Sequence, residues 1–125
     1  MYCINGEKYP CTTSLTMKYI GGKWKAVILI HLSNGKQRYS ELKKNIRCIT
    51  ERTLSLQLKE LENDGLIIRT VHTTKAPLMV TYEMTEFGKT LLPLLTAISQ
   101  WGQLAAKNNR EIKITEQSLL KKHSL

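Results

Sequence analysis

Between Thr50 and Lys59 the chain reads "TERTLSLQLK", and its polar members are side chains suited to reading nucleic-acid bases. Arg52 can hold guanine O6 and N7 in a two-pronged hydrogen bond, and Gln57 can hold adenine N6 and N7 in the same way. Glu51 can accept from cytosine N4, while Thr53, Ser55 and Lys59 can supply base-edge or phosphate contacts. Leu54, Leu58 and Leu61 recur four and three apart, which makes one helical face apolar and leaves the opposite face for that chemistry.

The other reactive groups are the thiols of Cys3, Cys11 and Cys48. A thiolate can be oxidised to a sulfenic acid and then to a disulfide. Cys11 precedes a helix start and has Lys8, Lys18 and Lys23 near it in sequence, surroundings that favour the thiolate. Cys48 stands beside the polar helix. Buried, inert thiols are the alternative, and spacing alone does not bring two sulfurs within bonding range. Cys3, on the N-terminal arm, has no evident role. His31, His72 and His123 are far apart, no "HExxH", "GxSxG" or "GxxxxGK" pattern occurs, and the cysteines lack zinc-ligand spacing. No enzyme, metal or cofactor is expected.

The elements that must position these groups follow from periodicity. Residues 1–12 read as an irregular arm stiffened by Pro10. A helix begins at Thr13 or Ser14, turns Leu15, Tyr19 and Ile20 inward, and stops at Gly21–Gly22. "KWKAVILIHL" resumes as a helix apolar on most sides, which suits a central position, and Asn34–Gly35 ends it. "RYSELKKNI" is a short helix with Ser40 as its expected N-cap, and Ser40 is counted with the candidate DNA contacts. A turn at "RCI" leads to Thr50, which caps the next helix through Asp64, closed by Gly65. Two short helices around such a turn form a helix-turn-helix.

After Gly65 the pattern alternates. "LIIRTVHTT" and "LMVTYEMT" read as a β-hairpin whose tip, His72 to Lys75, forms a wing, with Arg69 and Lys75 facing phosphates or the minor groove. Thr85 then caps a long helix bent at Pro93. In it Phe87, Leu91, Leu94, Ile98, Trp101 and Ala105 form one apolar seam, while Leu92, Leu95, Ser99, Gly102 and Ala106 form a second line. A helix with two buriable faces packs on its own domain and on a second subunit. Residues 13–107 therefore read as one winged domain including a dimerisation helix, and 108–125 as a weakly helical tail.

Composition agrees. With 42% hydrophobic residues the chain is not a disordered tail, and 125 residues suit one domain. Nineteen Lys and Arg against ten acidic residues give +9, a surplus that favours a polyanionic partner. The longest apolar run, Ala26 to Ile30, is too short to span a bilayer, and no secretory leader is evident. A soluble cytoplasmic protein with free thiols and no membrane association is expected.

The order "IGGKWK", "RYSEL", "QLKELENDGLI" and "Y.MT..G", from about Cys11 to Gly102, resembles the HxlR-type family of MarR-related winged-helix transcription regulators. The resemblance implies a mainly α fold with a small β-hairpin and a homodimer joined through its N- and C-terminal helices. Double-stranded operator DNA, an inverted repeat, is the implied partner. It makes the helix from Thr50 the recognition helix and Arg69 to Met84 the wing. Leu15, Leu91, Leu92, Leu95, Ile98 and Trp101 are then candidates for the dimer interface. Cys11 matches the family's N-terminal cysteine, in some relatives a redox or electrophile sensor, and a Cys11–Cys48 bond between subunits would lower DNA affinity. Two positions depart: Cys48 stands where the family usually has glycine, and Leu78 where it often has a second proline. The rival reading is a winged helix used as a protein-interaction module, which the outward-pointing Leu56 favours.

Overall fold

The computed structural model describes residues 1–73 and 75–115. Strands β1 (Tyr2–Ile4) and β2 (Glu7–Tyr9) pair antiparallel, with Tyr2 opposite Tyr9. Asn5 and Gly6 turn the chain at φ +47° and +85°, the left-handed pair that a two-residue hairpin loop requires and that Asn-Gly accepts at low cost. The expected irregular arm is thus a hairpin over residues 2–9.

Helices α1 (Thr12–Ile20) and α2 (Lys25–Leu32) flank the Gly21–Gly22 interruption. Ile28, Leu29 and Leu32 of α2 are buried, and α2 touches α1, α4 and α6, the central position its sequence predicts. Strand β3 (Gln37–Arg38) leads directly into α3 (Tyr39–Asn45). The N-cap of α3 is Arg38 and not Ser40. The Glu41 carboxylate accepts the Arg38 backbone N–H at 2.8 Å, so the helix starts one residue ahead of Ser40 and leaves that serine exposed in the first turn.

Helix α4 (Glu51–Asn63) begins as expected, with Thr50 Oγ1 accepting the Thr53 N–H at 3.1 Å. Leu54, Leu58 and Leu61 are almost wholly buried, each contributing roughly 1.5–3 kcal/mol by leaving water. Gly65 at φ +77° ends the helix, where a side chain would be strained. Lys25 pairs with Glu60 at 3.0 Å and Lys18 pairs with Asp64, tying α2 and α1 to the far half of α4.

Strands β4 (Ile67–Val71) and β5 (Val80–Met84) form the hairpin, and β3 joins them in the order β3-β5-β4. Thr85 caps only a short helix, α5 (Glu86–Lys89), and α6 (Leu92–Asn108) starts afresh. The expected bend at Pro93 is a break at Thr90–Leu91. Pro93 falls in the first turn of α6, where its missing N–H has no intrahelical acceptor to lose. After Asn108 the described tail, 109–115, is not helical, and the expected helical pattern of 116–125 lies outside the described residues. Among the described residues no helix is long and apolar enough to cross a membrane.

The two faces of α6 differ. Leu95 is 1% exposed within this chain's own core, so it cannot serve a partner, a correction to its place in the interface. Leu91 and Leu92 pack partly against the same core. Leu94, Ile98, Trp101 and Leu104 form an uncovered apolar stripe in which Trp101 is 67% exposed.

Candidate nucleic-acid interface

Because Leu54, Leu58 and Leu61 anchor one side of α4, the residues opposite must point outward. Arg52, Leu56 and Lys59, spaced four and three apart, occupy that outward line, and all are exposed. Arg52 and Lys59 form no ion pair among the described residues, so their cations face solvent. Gln57 lies on the half-buried flank, beside the core leucines.

The other polar residues of the helix are partly committed. Thr50 Oγ1 donates to Thr53 Oγ1 at 3.0 Å within the cap. Ser55 Oγ shares a hydrogen bond with Tyr39 Oη at 3.0 Å, and the Tyr39 hydroxyl also reaches the Glu51 carbonyl at 3.2 Å. Tyr39 therefore fixes the start of α3 against the first turns of α4. Glu51 is exposed at the mouth of the helix, where the positive end of the helix dipole favours a carboxylate or a phosphate.

Ser40, Ser55 and Arg69 come together with Arg38, Tyr39 and Thr73 around a cleft of about 760 Å³ between α3, α4 and the wing. Arg69 lies opposite Tyr82 in the β4–β5 register and hydrogen-bonds to it. Burial raises the Tyr82 pKa and the bond from Arg69 opposes that rise. Arg38 and Tyr39 carry no sequence signal of their own. Their position depends on the pairing of Arg38 with Thr81, which only the folded sheet creates.

At the wing, Lys75 is exposed and its backbone N–H donates to Thr73 Oγ1 at 3.2 Å. His72 Nε2 lies 2.7 Å from Thr81 Oγ1 across the hairpin. The residue itself is exposed, and this bond ties its ring to β5.

Cys3, Cys11 and Cys48 are all free and exposed, which removes the buried-thiol alternative. Cys11 is the N-cap of α1. Its backbone N–H donates to Ser14 Oγ at 3.2 Å, and its sulfur lies 3.8 Å from that oxygen. Hydrogen bonds from the Ser14 backbone N–H and then its hydroxyl lower the Cys11 pKa, with Thr13 adding to them. The nearby lysines are not the cause: Lys18 is paired with Asp64, and Lys23 lies over the Trp24 ring at 5.1 Å. In a Cys3→Ser/Cys48→Ser background, the alkylation rate of Cys11 is expected to rise with pH at a midpoint below that of an ordinary thiol. Ser14→Ala should move that midpoint upward; an unchanged profile would remove Ser14 from the account.

Cys48 occupies the turn between α3 and α4 at φ +68°, a conformation in which a non-glycine residue is strained by about 1–2 kcal/mol. A glycine there would be relaxed, so the thiol is held at a backbone cost two residues before the cap of α4. Among the described residues no group of three or more His, Cys, Asp or Glu side chains could hold a metal ion.

A three-stranded wing on a helix-turn-helix, with cations along one helix face, is shared by many regulators, and sequence decides among them. Residues 19–110 match the HxlR-like helix-turn-helix family. This chain belongs to that family. The uncharacterized HTH-type transcriptional regulator YdeP of Bacillus subtilis (strain 168) is 46% identical over 93 residues, 74% of this chain and 72% of YdeP. YybR of the same organism, described in the same words, is 40% identical over 109 residues, 87% of this chain and 83% of YybR. Among solved structures, the reduced form of the redox regulator HypR superposes with a TM-score of 0.71 at 40% identity, covering 76% of this chain and 93% of that one. Its oxidised form gives 0.69 at 41% identity, covering 75% and 96%. These HxlR-like relatives are transcriptional regulators and not enzymes, and the winged helix-turn-helix expected from the sequence is the fold they share.

Proposed function

We propose that this HxlR-like chain is a sequence-specific regulator that binds double-stranded DNA as a homodimer and is switched by oxidation of Cys11. The observation carrying the DNA reading is the outward line of α4, with unpaired Arg52 and Lys59, on a helix that shares one cleft with Ser40 and Arg69. α4 enters the major groove, Arg52 reads a base edge, and Gln57 reaches a base from the flank. Glu51 contacts a base or, through its helix mouth, a phosphate. Thr50, Thr53, Ser55, Ser40, Lys59 and Arg69 hold the backbone, and Lys75 carries the wing onto the adjacent phosphates.

Two recognition helices are needed for an inverted repeat, and the uncovered stripe of Leu94, Ile98, Trp101 and Leu104 supports a second copy of this chain as its cover. Half-buried Leu15 and exposed Met17 of α1 are the N-terminal helix's apolar candidates for the same interface.

The thiol switch is supported by the lowered Cys11 pKa, by the exposure of Cys48, and by the likeness to a redox regulator solved in two oxidation states. The Cys11 thiolate attacks a peroxide oxygen, giving a sulfenic acid and hydroxide. The thiol of Cys48 of the partner subunit then displaces that oxygen as water and forms the disulfide. Because Cys48 is two residues from Thr50, the new bond pulls on the turn that starts α4 and lowers DNA affinity.

The test is selection of fragmented genomic DNA by the reduced protein, by the peroxide-treated protein and by Cys11→Ser treated alike. Reduced wild type should enrich an inverted repeat, oxidised wild type should not, and Cys11→Ser should enrich it under both conditions. Enrichment by oxidised wild type would remove the switch. No enrichment by any form would favour the protein-interaction reading.

A further inference from the structure

We infer that Leu56 reads a thymine, packing its side chain against the C5-methyl group in the major groove of each half-site. The inference rests on the reading of α4 as the recognition helix.

Leu56 is 55% exposed at the centre of the outward line, nearly opposite the buried Leu54, Leu58 and Leu61. Arg52 lies one turn before it and Lys59 one turn after, both exposed. No other large apolar side chain of α4 is exposed, so the apolar patch is a single leucine between two cations. A protein partner would need a broader apolar surface than one side chain offers. The flanking cations suit DNA, Arg52 a base edge and Lys59 a phosphate, and between them a major groove presents further base edges. Only thymine shows an apolar group there. Against any other base edge the leucine would strip water from a donor or acceptor and return no hydrogen bond, which is costly. Leu56 therefore selects thymine by attraction and rejects the alternatives by desolvation. Sequence reading gives the same residue the opposite meaning, as a mark of protein docking. The cations on either side reverse it.

Deoxyuridine differs from thymidine only by the methyl group. In the enriched inverted repeat, each thymine of one half-site is replaced in turn by deoxyuridine, and affinities are measured at fixed salt. At one position wild type should lose about fourfold, the value of one buried methyl-sized group. Leu56→Ala should lose nothing further at that position while matching wild type at every other one. Leu56→Met, which keeps an apolar side chain, should retain the thymine preference, and Arg52→Ala should retain it too. Identical uridine profiles for wild type and Leu56→Ala would overturn the assignment. Failure of reduced wild type to select any DNA site is a different result: it would overturn the recognition-helix reading, and the leucine assignment with it.

Discussion

Gly88→Ala is expected to destabilise the protein by about 3–5 kcal/mol, a large share of the ~5–15 kcal/mol by which domains are stable. A Cβ on Gly88 would stand 2.1 Å from the Leu66 carbonyl oxygen and 3.1 Å from its carbonyl carbon. That backbone has no room to yield. The Leu66 oxygen accepts the Thr85 N–H at 3.0 Å, the Leu66 N–H donates to the Leu61 carbonyl at 3.0 Å, and the Leu66 side chain is 1% exposed. Making space strains a packed core and breaks the hydrogen bond that seats α5 on the α4–β4 junction. A urea melt should show a lower midpoint with an unchanged slope. Gly102→Ala, whose Cβ meets nothing within 4 Å on exposed α6, should be neutral or slightly stabilising. A wild-type midpoint for Gly88→Ala would mean that α5 is not fixed where the close approach puts it. The contact seats α5, which leads into α6, on the junction that follows α4.

Arg52→Ala is expected to weaken binding to the enriched operator by ~1–3 kcal/mol, roughly five- to 150-fold, and to relax selection at one base pair per half-site. The guanidinium is exposed on the outward line of α4 and free of ion pairs among the described residues, so removing it disturbs no intramolecular partner. Thermal stability should stay within about 0.5 kcal/mol of wild type, as for other exposed positions. On scrambled DNA the variant should lose only what one cation contributes to the phosphate interaction. Equal losses on operator and scrambled duplex would make Arg52 a backbone contact.

Helix α4 is the part of this molecule most plainly written in its sequence. Leu54, Leu58 and Leu61 keep helical period, Thr50 caps the start and Gly65 takes the left-handed residue at the end, so local chemistry and tertiary packing agree. The parts that reading misses have little local signal. Strands of three residues leave the Asn5–Gly6 hairpin without alternation, although Asn-Gly itself marks the turn. β3 is two residues long and exists because β5 pairs with it. Periodicity runs unbroken through Thr90 and Leu91, so Phe87 and Leu94 look like one seam where the chain has two helices. Leu95 shows the same blindness: an apolar heptad position does not tell which neighbour, self or partner, covers it. For Cys11 the sequence places lysines nearby, yet a serine three residues on supplies the hydrogen bonds that lower its pKa.

The measurement closest to the central claim is the ratio of two dissociation constants for the reduced protein at one salt concentration. One is for the enriched inverted repeat and the other for a scrambled duplex of equal length and composition. A regulator that reads sequence through α4 should bind the repeat at least ~10³-fold more tightly. Equal constants, each falling steeply with salt, would describe a basic protein that coats DNA through its phosphates, and would contradict the account.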